Sequence, residues 1–398
     1  MKNEKSNLVR SALVFPLLLA SYEIATYLSN DAYLPALPYI AASLHTSANF
    51  VQLTLTIWFL GAALMQLVTG PITDRLGRRP VLLIGGLVFI VVTLGCALSH
   101  NIYMLLVCRF IQGAMIATMY IPGYATIHEL FEQKQAIHIL AIMSSITILA
   151  PALGPLLGAG VLYFVSWHWI FGILAIWAAI AIIGLFFAMP ETKSSIDEKI
   201  QFKTILKQYK NIITNKKFML LGLTGQCFFA AMIAWIAAGP FLLINRFHLS
   251  TLDFGLIQAV VFICFIIATR FIKQLMKTLE LQSIIKIGMI FFVIGGIYAL
   301  CTALGWPTLL LNIVIAMMLI GAGSGFAFPI LSRLAIESSS EPMGSRVAVS
   351  SFLMGLSSTL ATVLVSRVYN GTLFSLAIIL FILSIIPLAL SYRIKFLV

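Results

Sequence analysis

Long apolar stretches, separated by short polar ones, repeat along the whole chain. A helix that crosses the hydrocarbon core of a bilayer needs about 20 predominantly apolar residues, and twelve stretches approach or exceed that length. They occupy residues 11–38, 48–70, 80–98, 101–126, 136–162, 167–189, 218–244, 253–272, 283–303, 307–331, 345–367 and 371–392. The pattern therefore predicts an all-α membrane protein with twelve transmembrane helices.

The longest polar segment lies in the middle of the chain, between Glu191 and Lys217, and contains seven lysines. Its apolar residues recur at helical spacing with lysines on the other face, which predicts a basic amphipathic helix on the cytoplasmic leaflet. The apolar positions are Phe202, Ile205, Leu206, Tyr209, Ile212 and Ile213, and the lysines are Lys203, Lys207 and Lys210. This segment divides the chain into an N-terminal six-helix bundle (1–190), a linker (191–217) and a C-terminal six-helix bundle (218–398).

Charged residues are scarce, and their distribution predicts orientation. They make up 10% of the chain, against roughly 25% in soluble domains. With both termini in the cytoplasm, 22 of the 25 lysines and arginines fall in cytoplasmic segments, as expected for a multi-pass protein of the cell inner membrane. The net charge of +12 does not indicate a nucleic-acid partner, because such a protein would cluster its basic residues on a soluble face.

Two carboxylates lie within the first predicted span, at Glu23 and Asp31. Ionisable groups inside a membrane helix are costly and mark functional sites by default. Helical geometry places Glu23, Tyr27, Asn30 and Asp31 on one broad polar face, which must line a cavity or meet other helices. No acidic residue lies well inside any predicted span of the second half, so proton handling is expected to rest on the first span, with Glu129 as a further candidate.

Arg109 is the only basic residue well inside a predicted span, and Gln112 follows on nearly the same face. The helical rise per residue, counted from the span ends, gives the depth of each side chain in the membrane. Arg109 and Asp31 lie at depths from which they could pair, and Glu23 lies deeper, near the midplane. A purely structural ion pair is the alternative. We hypothesise that Asp31 couples to protons and that Glu23 recognises cationic substrate.

The loop after the second span reads GPITDRLGRRP and contains several charges. Gly70 and Gly77 permit a tight turn, and Asp74 can accept hydrogen bonds from Arg75 or Arg78. Such a cluster could join helix ends in one conformation and release them in another, which would make it a gate. A basic loop that only sets topology is the alternative.

The fifth span holds a run of small residues and prolines that includes Gly154, Pro155 and Gly158. Glycines four residues apart let a second helix approach closely, and prolines permit bending. Packing of helices and a functional role are equally compatible with these facts alone.

In the second half, Gln226 and Trp235 interrupt apolar runs and are possible pocket residues, although core packing is the default interpretation.

These motifs together resemble one transporter family. The loop from Gly70 to Pro80 matches the G-x-x-x-D-R-x-G-R-R signature of the major facilitator superfamily, and the Gly154-Pro155 run is similar to the antiporter motif of its exporters. With the stretches from Tyr22 to Asp31 and from Arg109 to Gly113, the chain resembles the drug/proton antiporter branch, of the MdfA type. The resemblance implies the major facilitator fold and exchange of protons for lipophilic cations and neutral drugs, with Glu23 and Asp31 as the proton and substrate acids.

The expected function is therefore proton-coupled multidrug efflux by a membrane-embedded monomer without metal or cofactor. A dedicated exporter of one native compound, such as a siderophore, sugar or signalling molecule, is the alternative within the same fold. A membrane-embedded enzyme is the alternative from another class, but the sequence lacks HExxH and GxSxG motifs. A passive channel would use the two acids only for selectivity.

Overall fold

The computed structural model describes residues 2–192, 202–305 and 310–394, and these residues form fourteen α-helices. The helices are α1 (Lys2–Asp31), α2 (Leu37–Ser43), α3 (Ala48–Leu76), α4 (Arg78–Ala97), α5 (Ile102–Leu130), α6 (Gln133–Phe164), α7 (His168–Ala188), α8 (Phe202–Thr214), α9 (Lys216–Pro240), α10 (Thr251–Leu275), α11 (Leu281–Leu304), α12 (Leu310–Glu337), α13 (Met343–Val368) and α14 (Leu373–Ile394). A 3₁₀ turn, Leu34–Ala36, joins α1 to α2, and a π-helical segment, Phe241–Arg246, continues α9.

Most of these helices are long and apolar enough to cross a membrane. Ten of them meet that criterion within the described residues, and α6 contains a shorter apolar segment, Leu149–Phe164. Helix α1, which carries the two buried acids, and α6 complete a set of twelve, arranged as two bundles of six. The predicted all-α fold with twelve spans is confirmed. The predicted linker boundaries stay predictions, and residues 193–201 of that linker lie outside the described residues.

The first predicted span ends earlier than expected. Helix α1 stops at Asp31, and the remaining apolar residues form the 3₁₀ turn and α2. Pro35 and Pro38 explain the break, because proline cannot donate to the carbonyl four residues earlier and its ring clashes with it. Asp31 is thus the last residue of its helix and not a residue several positions inside it.

The second predicted span continues further than expected, to Leu76 instead of residue 70. Gly70 and Pro71 lie inside α3, and the turn into α4 is made at Gly77, whose φ of 96° favours glycine. We call residues 70–80 the signature loop, and the end of the molecule where it lies the signature-loop end. Helix α3 packs along α13 and α6 along α10, joining the two bundles, while α8 rests on α9 and α13.

Candidate functional site

A cavity of about 270 Å³ lies between the two bundles. The first bundle contributes polar groups and three large apolar side chains, and the second contributes mainly apolar surface. The larger first-bundle residues are Tyr27, Asn30, Asp31, Trp58, Phe59, Gln66 and Ile116. The larger second-bundle residues are Phe229, Met232, Ile233, Ile236, Phe262, Phe265, Phe328 and Met354.

Asp31 is 4% exposed and lines this cavity at the end of α1. Its Oδ1 accepts a hydrogen bond of 3.2 Å from Nδ2 of Asn30. Helix α6 approaches the same point very closely: a Cβ atom on Gly154 would lie 2.6 Å from Cβ of Asp31, and one on Gly158 would collide with the carbonyl oxygen of Ala32. The glycines of the predicted antiporter motif therefore place α6 directly against the end of α1.

Arg109, on α5, is fully buried and reaches the end of α1. Its guanidinium donates to the carbonyl oxygen of Ser29 at 2.9 Å, to Oδ1 of Asn30 at 3.2 Å and to Oε1 of Gln112 at 2.5 Å. The last carbonyls of a helix lack intrahelical donors, and a cation nearby also interacts favourably with the helix dipole. Gln112 is positioned in turn by Thr93, whose hydroxyl accepts from its Nε2 at 2.8 Å.

The predicted direct pairing of Arg109 with Asp31 is not what the structure shows. No described carboxylate forms a salt bridge with Arg109. Asn30 lies between the two instead, accepting from the arginine and donating to Asp31. The depth calculation placed Asp31 well inside a longer span, whereas α1 ends at Asp31 and presents its final carbonyls to the arginine.

Aromatic rings surround the Arg109 guanidinium, and sequence reasoning did not find them. The Cζ atom of Arg109 lies 4.3 Å from the ring centroid of Tyr33, 5.6 Å from that of Trp58 and 5.9 Å from that of Phe171. A cation over an aromatic face is attracted by the ring quadrupole, more strongly where water is excluded. These rings come from three separate segments, so no local spacing could have indicated the arrangement.

Glu23 is not among the residues that line the cavity. It is fully buried, and the Tyr124 hydroxyl donates to its Oε1 at 2.9 Å. Of the two buried acids on α1, only Asp31 lines the cavity. The cavity-lining residue nearest to Glu23 in sequence is Tyr27. The structure thus gives the cavity-facing position to Asp31, where sequence reasoning expected Glu23 to be closer to substrate.

Neither of the predicted second-half pocket residues reaches the cavity. Trp235 is fully buried and donates from Nε1 to Oε1 of Gln258 at 2.7 Å. Gln226 lies one turn beyond the cavity-lining stretch of α9, and Ser357 donates to its Oε1 at 3.2 Å. The α9 stripe that faces the cavity runs from Phe229 to Ile236 at helical spacing, and its apolar side chains carried no distinctive sequence signal.

The signature loop forms a charge cluster within the first bundle. Arg78 binds Asp74 at 2.5 Å and Glu129 on α5 at 3.3 Å. Glu191, just after α7, accepts the backbone N–H groups of Arg78 at 3.0 Å and Arg79 at 3.1 Å. A carboxylate at a helix N-terminus satisfies unpaired donors and complements the helix dipole. The cluster therefore connects the ends of α3, α4, α5 and α7.

Of the two partners expected for Asp74, the structure shows Arg78, while Arg75 is exposed. Two other details of the loop differ from expectation. Gly70 lies within α3 and does not form the turn. Glu191 was missed as a participant, and its only sequence signal is an acid directly after the sixth span. Asp74, Arg78 and Glu129 belong to the first bundle, and Glu191 follows its last helix directly, so in this conformation the cluster connects helix ends of that bundle.

Comparison with known sequences gives the family. The sequence model of the Major Facilitator Superfamily matches residues 19–366. The chain belongs to the major facilitator superfamily. The chloramphenicol resistance protein CraA of Acinetobacter baumannii is 33% identical over 355 residues, which cover 89% of this chain and 86% of that protein. The multidrug transporter MdfA of Yersinia pestis is 33% identical over 340 residues, covering 85% and 83%.

Solved structures show the same fold at low sequence identity. A POT family transporter aligns with a TM-score of 0.77 at 13% identity, covering 97% of this chain and 96% of that chain. A bacterial homologue of the human lysosomal transporter Spinster, in an inward-facing conformation, aligns with a TM-score of 0.73 at 14% identity, covering 97% and 96%. This major facilitator protein is therefore a multi-pass membrane transporter of small molecules and not an enzyme.

Proposed function

We propose that the protein is a proton-coupled antiporter that exports lipophilic cationic and neutral small molecules by alternating access. The relatives at 33% identity are named for multidrug transport and for chloramphenicol resistance, which supports efflux of unrelated compounds. We also propose that it is a monomer of the inner membrane. The positions of the basic residues support a cytoplasmic location of both termini.

One observation carries the proposal: Asp31 belongs at once to the cavity wall and to the buried polar network. A ligand in the cavity can approach its carboxylate, while Arg109 is connected to it through Asn30. Gly154 on α6 touches it from the side. Protonation or substrate binding at this one group can therefore act on α1, α5 and α6 together.

The proposed coupling follows from charge. A lipophilic cation in a poorly solvated cavity is attracted by the Asp31 carboxylate much more strongly than in water, and a proton competes for the same group. Protonation removes the charge to which Asn30 donates, so the link to Arg109 weakens and the end of α1 can shift against α6. A neutral compound needs only burial against apolar side chains, and its release is driven by the same protonation.

Glu23 has a secondary place in this proposal. It lies behind the cavity wall with Tyr124, so it acts on a cation at longer range than Asp31 does. We keep the hypothesis that it favours cationic substrates, because a buried negative charge near the cavity lowers the energy of any cation there. Its contribution should be smaller than that of Asp31.

A dedicated exporter of a hydrophilic compound has less support. A sugar or siderophore would need many hydrogen-bonding groups around it, whereas the second-bundle wall is built mainly from phenylalanine, isoleucine and methionine. Flexible, apolar and aromatic surfaces suit compounds of different shape. This wall therefore favours a broad range of lipophilic substrates.

The test is drug transport in inverted membrane vesicles with the pH gradient and the membrane potential varied separately. One proton exchanged for a monovalent cation moves no net charge, so only the pH gradient should drive it. Exchange for a neutral drug moves one charge, worth about 2.3 kcal/mol per 100 mV, so the potential should contribute. Asp31→Asn should abolish proton-driven transport of both classes.

Two results would overturn the proposal. One is robust proton-driven transport of both classes by Asp31→Asn. The other is transport by the unmodified protein that never proceeds against a substrate gradient when a pH gradient is imposed, because that behaviour belongs to a passive pore. A screen of unrelated drugs in the same vesicles separates multidrug efflux from export of one native compound.

A further inference from the structure

Helix α8 lies across the junction between the two bundles at the signature-loop end, and we call it the strap helix. The Tyr209 hydroxyl donates to the carbonyl oxygen of Leu67, on α3, at 2.9 Å. That carbonyl has no helical donor, because the residue four positions later is Pro71. Burial raises the pKa of Tyr209, so the phenol keeps the proton that it donates.

The strap helix also contacts the second bundle. Oε1 of Gln208 accepts from the hydroxyl of Ser345, on α13, at 2.7 Å. Nδ2 of Asn211 donates to Oε1 of Glu341, just before α13, at 2.8 Å. Ile212 is fully buried beneath the helix. A few hydrogen bonds thus attach one short helix to both bundles.

The opposite face of the strap helix carries three lysines. Lys203, Lys207 and Lys210 are exposed and have no ion-pair partner among the described residues. At 100° per residue they fall within about 60° of the helix circumference. Leu206 and Ile213, which are 64% and 46% exposed, lie together along one edge of this basic face.

This surface matches the headgroup region of a bilayer. Exposed leucine and isoleucine beside lysines that pair with no described acid form an interfacial pattern, in which apolar side chains enter the acyl boundary and ammonium groups meet lipid phosphates. The helix rests on α9 and α13, which cross the membrane, so the leaflet on that side adjoins it. A soluble anion would not account for the exposed leucine and isoleucine.

We propose that the strap helix binds anionic phospholipid headgroups through Lys203, Lys207 and Lys210, and that this binding controls how firmly it holds the two bundles. The lipid contact stands by itself. Its effect on transport rests on the proposed efflux function. Alternating access must change the distance between Leu67 on α3 and Ser345 on α13, so a lipid-anchored strap alters the rate of that change.

Lipid binding is tested first, without any transport. The triple variant Lys203→Gln, Lys207→Gln, Lys210→Gln and the unmodified protein are titrated with phosphatidylglycerol and phosphatidylcholine, and bound lipids are counted by native mass spectrometry. The control variant Arg270→Gln, Lys273→Gln, Lys277→Gln removes three exposed charges at the same end, on α10 and the turn after it. We expect the strap variant to lose roughly tenfold or more in phosphatidylglycerol affinity, with phosphatidylcholine binding unchanged and the control much less affected.

Equal losses in the two triple variants, or none in the strap variant, would overturn the lipid site. The corresponding triple Lys→Arg variant keeps the charge and should bind as the unmodified protein does. Because the three side chains are exposed and form no salt bridge with a described residue, an unchanged melting temperature is expected and shows that the variants are folded. Inorganic phosphate should compete only weakly, and full displacement by it would indicate a free-anion site instead.

Transport is measured second, in proteoliposomes of increasing phosphatidylglycerol content. The unmodified protein and the control variant should transport drug at rates that change by about threefold or more across the series, and the strap variant should show a flat profile. A strap variant that retains the full lipid dependence contradicts the regulatory part of the inference. If no drug is transported in any lipid, the proposed function fails while the lipid-binding result is unaffected.

Discussion

The two walls of the central cavity differ in the chemistry of their side chains. The first-bundle wall contains Asp31 and Asn30, and behind them lie Arg109 and Gln112. The hydrogen bonds that join these polar groups measure 2.5–3.2 Å. The second-bundle wall is mostly aromatic, isoleucine and methionine side chains. The sequence places no acid well inside any span of the second half. The buried charges that the proposed coupling uses therefore belong to one bundle.

This division separates two requirements that conflict. A buried charge is tolerated only when its partners are fixed, so the surroundings of Asp31 and Arg109 cannot vary freely. A surface that accepts compounds of different shape must be adaptable, and flexible apolar side chains provide that. Under the proposed function, one requirement on each wall lets substrate range change without loss of ion coupling. Changes on the first wall should act on all substrates, and changes on the second on some of them.

The largest effect is expected from Arg109→Met. It removes the donor to Ser29 and Asn30 and leaves a cavity-facing acid without its connected cation. Breaking a buried charge network typically costs about 3–5 kcal/mol, so transport of cationic and neutral drugs should fall by a factor of 100 or more. The measurement is efflux per molecule of inserted protein.

Arg109→Lys is the matched control for charge. A single ammonium cannot reproduce the forked contacts of the guanidinium, so it should restore only part of the activity. Near-normal efflux of both drug classes by a well-expressed Arg109→Met protein would remove the network from the mechanism and, with it, the contrast between the walls.

A smaller and selective effect is expected from Glu23→Gln. It removes a negative charge behind the wall but keeps a side chain that can still accept from Tyr124. Export of monovalent cations should fall several-fold and more than export of neutral compounds, because only a cation interacts with that charge at range. Tyr124→Phe removes the hydrogen bond without changing charge and should not discriminate between the two classes. Equal losses for both classes in Glu23→Gln would contradict a role in cation recognition.

Much of the fold could be predicted because a bilayer sets the length and composition of each crossing helix. The sixth apolar stretch, 167–189, corresponds to α7 at His168–Ala188. The predicted ends of the spans were wrong where hydropathy and backbone chemistry disagree. Pro35 and Pro38 break an apolar stretch that hydropathy alone continues, and the apolar count stops at Gly70 although α3 runs on to Leu76.

The candidate site was only partly predictable. Glu23, Asp31 and Arg109 were found because charges in a membrane helix are costly. Their partners were not, since Tyr124 lies 101 residues from Glu23 and the rings around Arg109 come from three segments. Asn30 was named as a polar neighbour, but its position between Arg109 and Asp31 depends on where α1 ends. Apolar wall residues such as Phe229 carry no signal that separates a cavity from a core.

A moderate effect is expected from Asp74→Asn in the signature loop. The change removes the ion pair between Asp74 and Arg78. Because Asp74 helps to position the Arg78 guanidinium, the ion pair of Arg78 with Glu129 should weaken as well. Because the loop is distant from the cavity, equilibrium drug binding should change by less than about 1 kcal/mol while turnover slows. Arg75→Gln removes a charge from the same loop at an exposed position without a described partner, so it should leave both quantities nearly unchanged. A large loss of affinity at unchanged turnover would contradict this gating role.

The smallest effect is expected on the second wall, from Phe229→Ala. Phe229 lines the cavity and stacks on Phe328, with ring centroids 5.2 Å apart. Removing one ring from a wall of many apolar groups should weaken binding by about 1 kcal/mol, or roughly fivefold, for compounds that touch it. The order of preference among drugs should therefore change while proton coupling persists. Phe271→Ala, at an exposed position on α10 outside the cavity, should change neither.

The measurement has two parts: the binding constants of a set of unrelated drugs, and the response of efflux to a pH gradient. A uniform loss across all compounds together with loss of the pH response would show that the second wall takes part in coupling, and the division between the walls would be wrong.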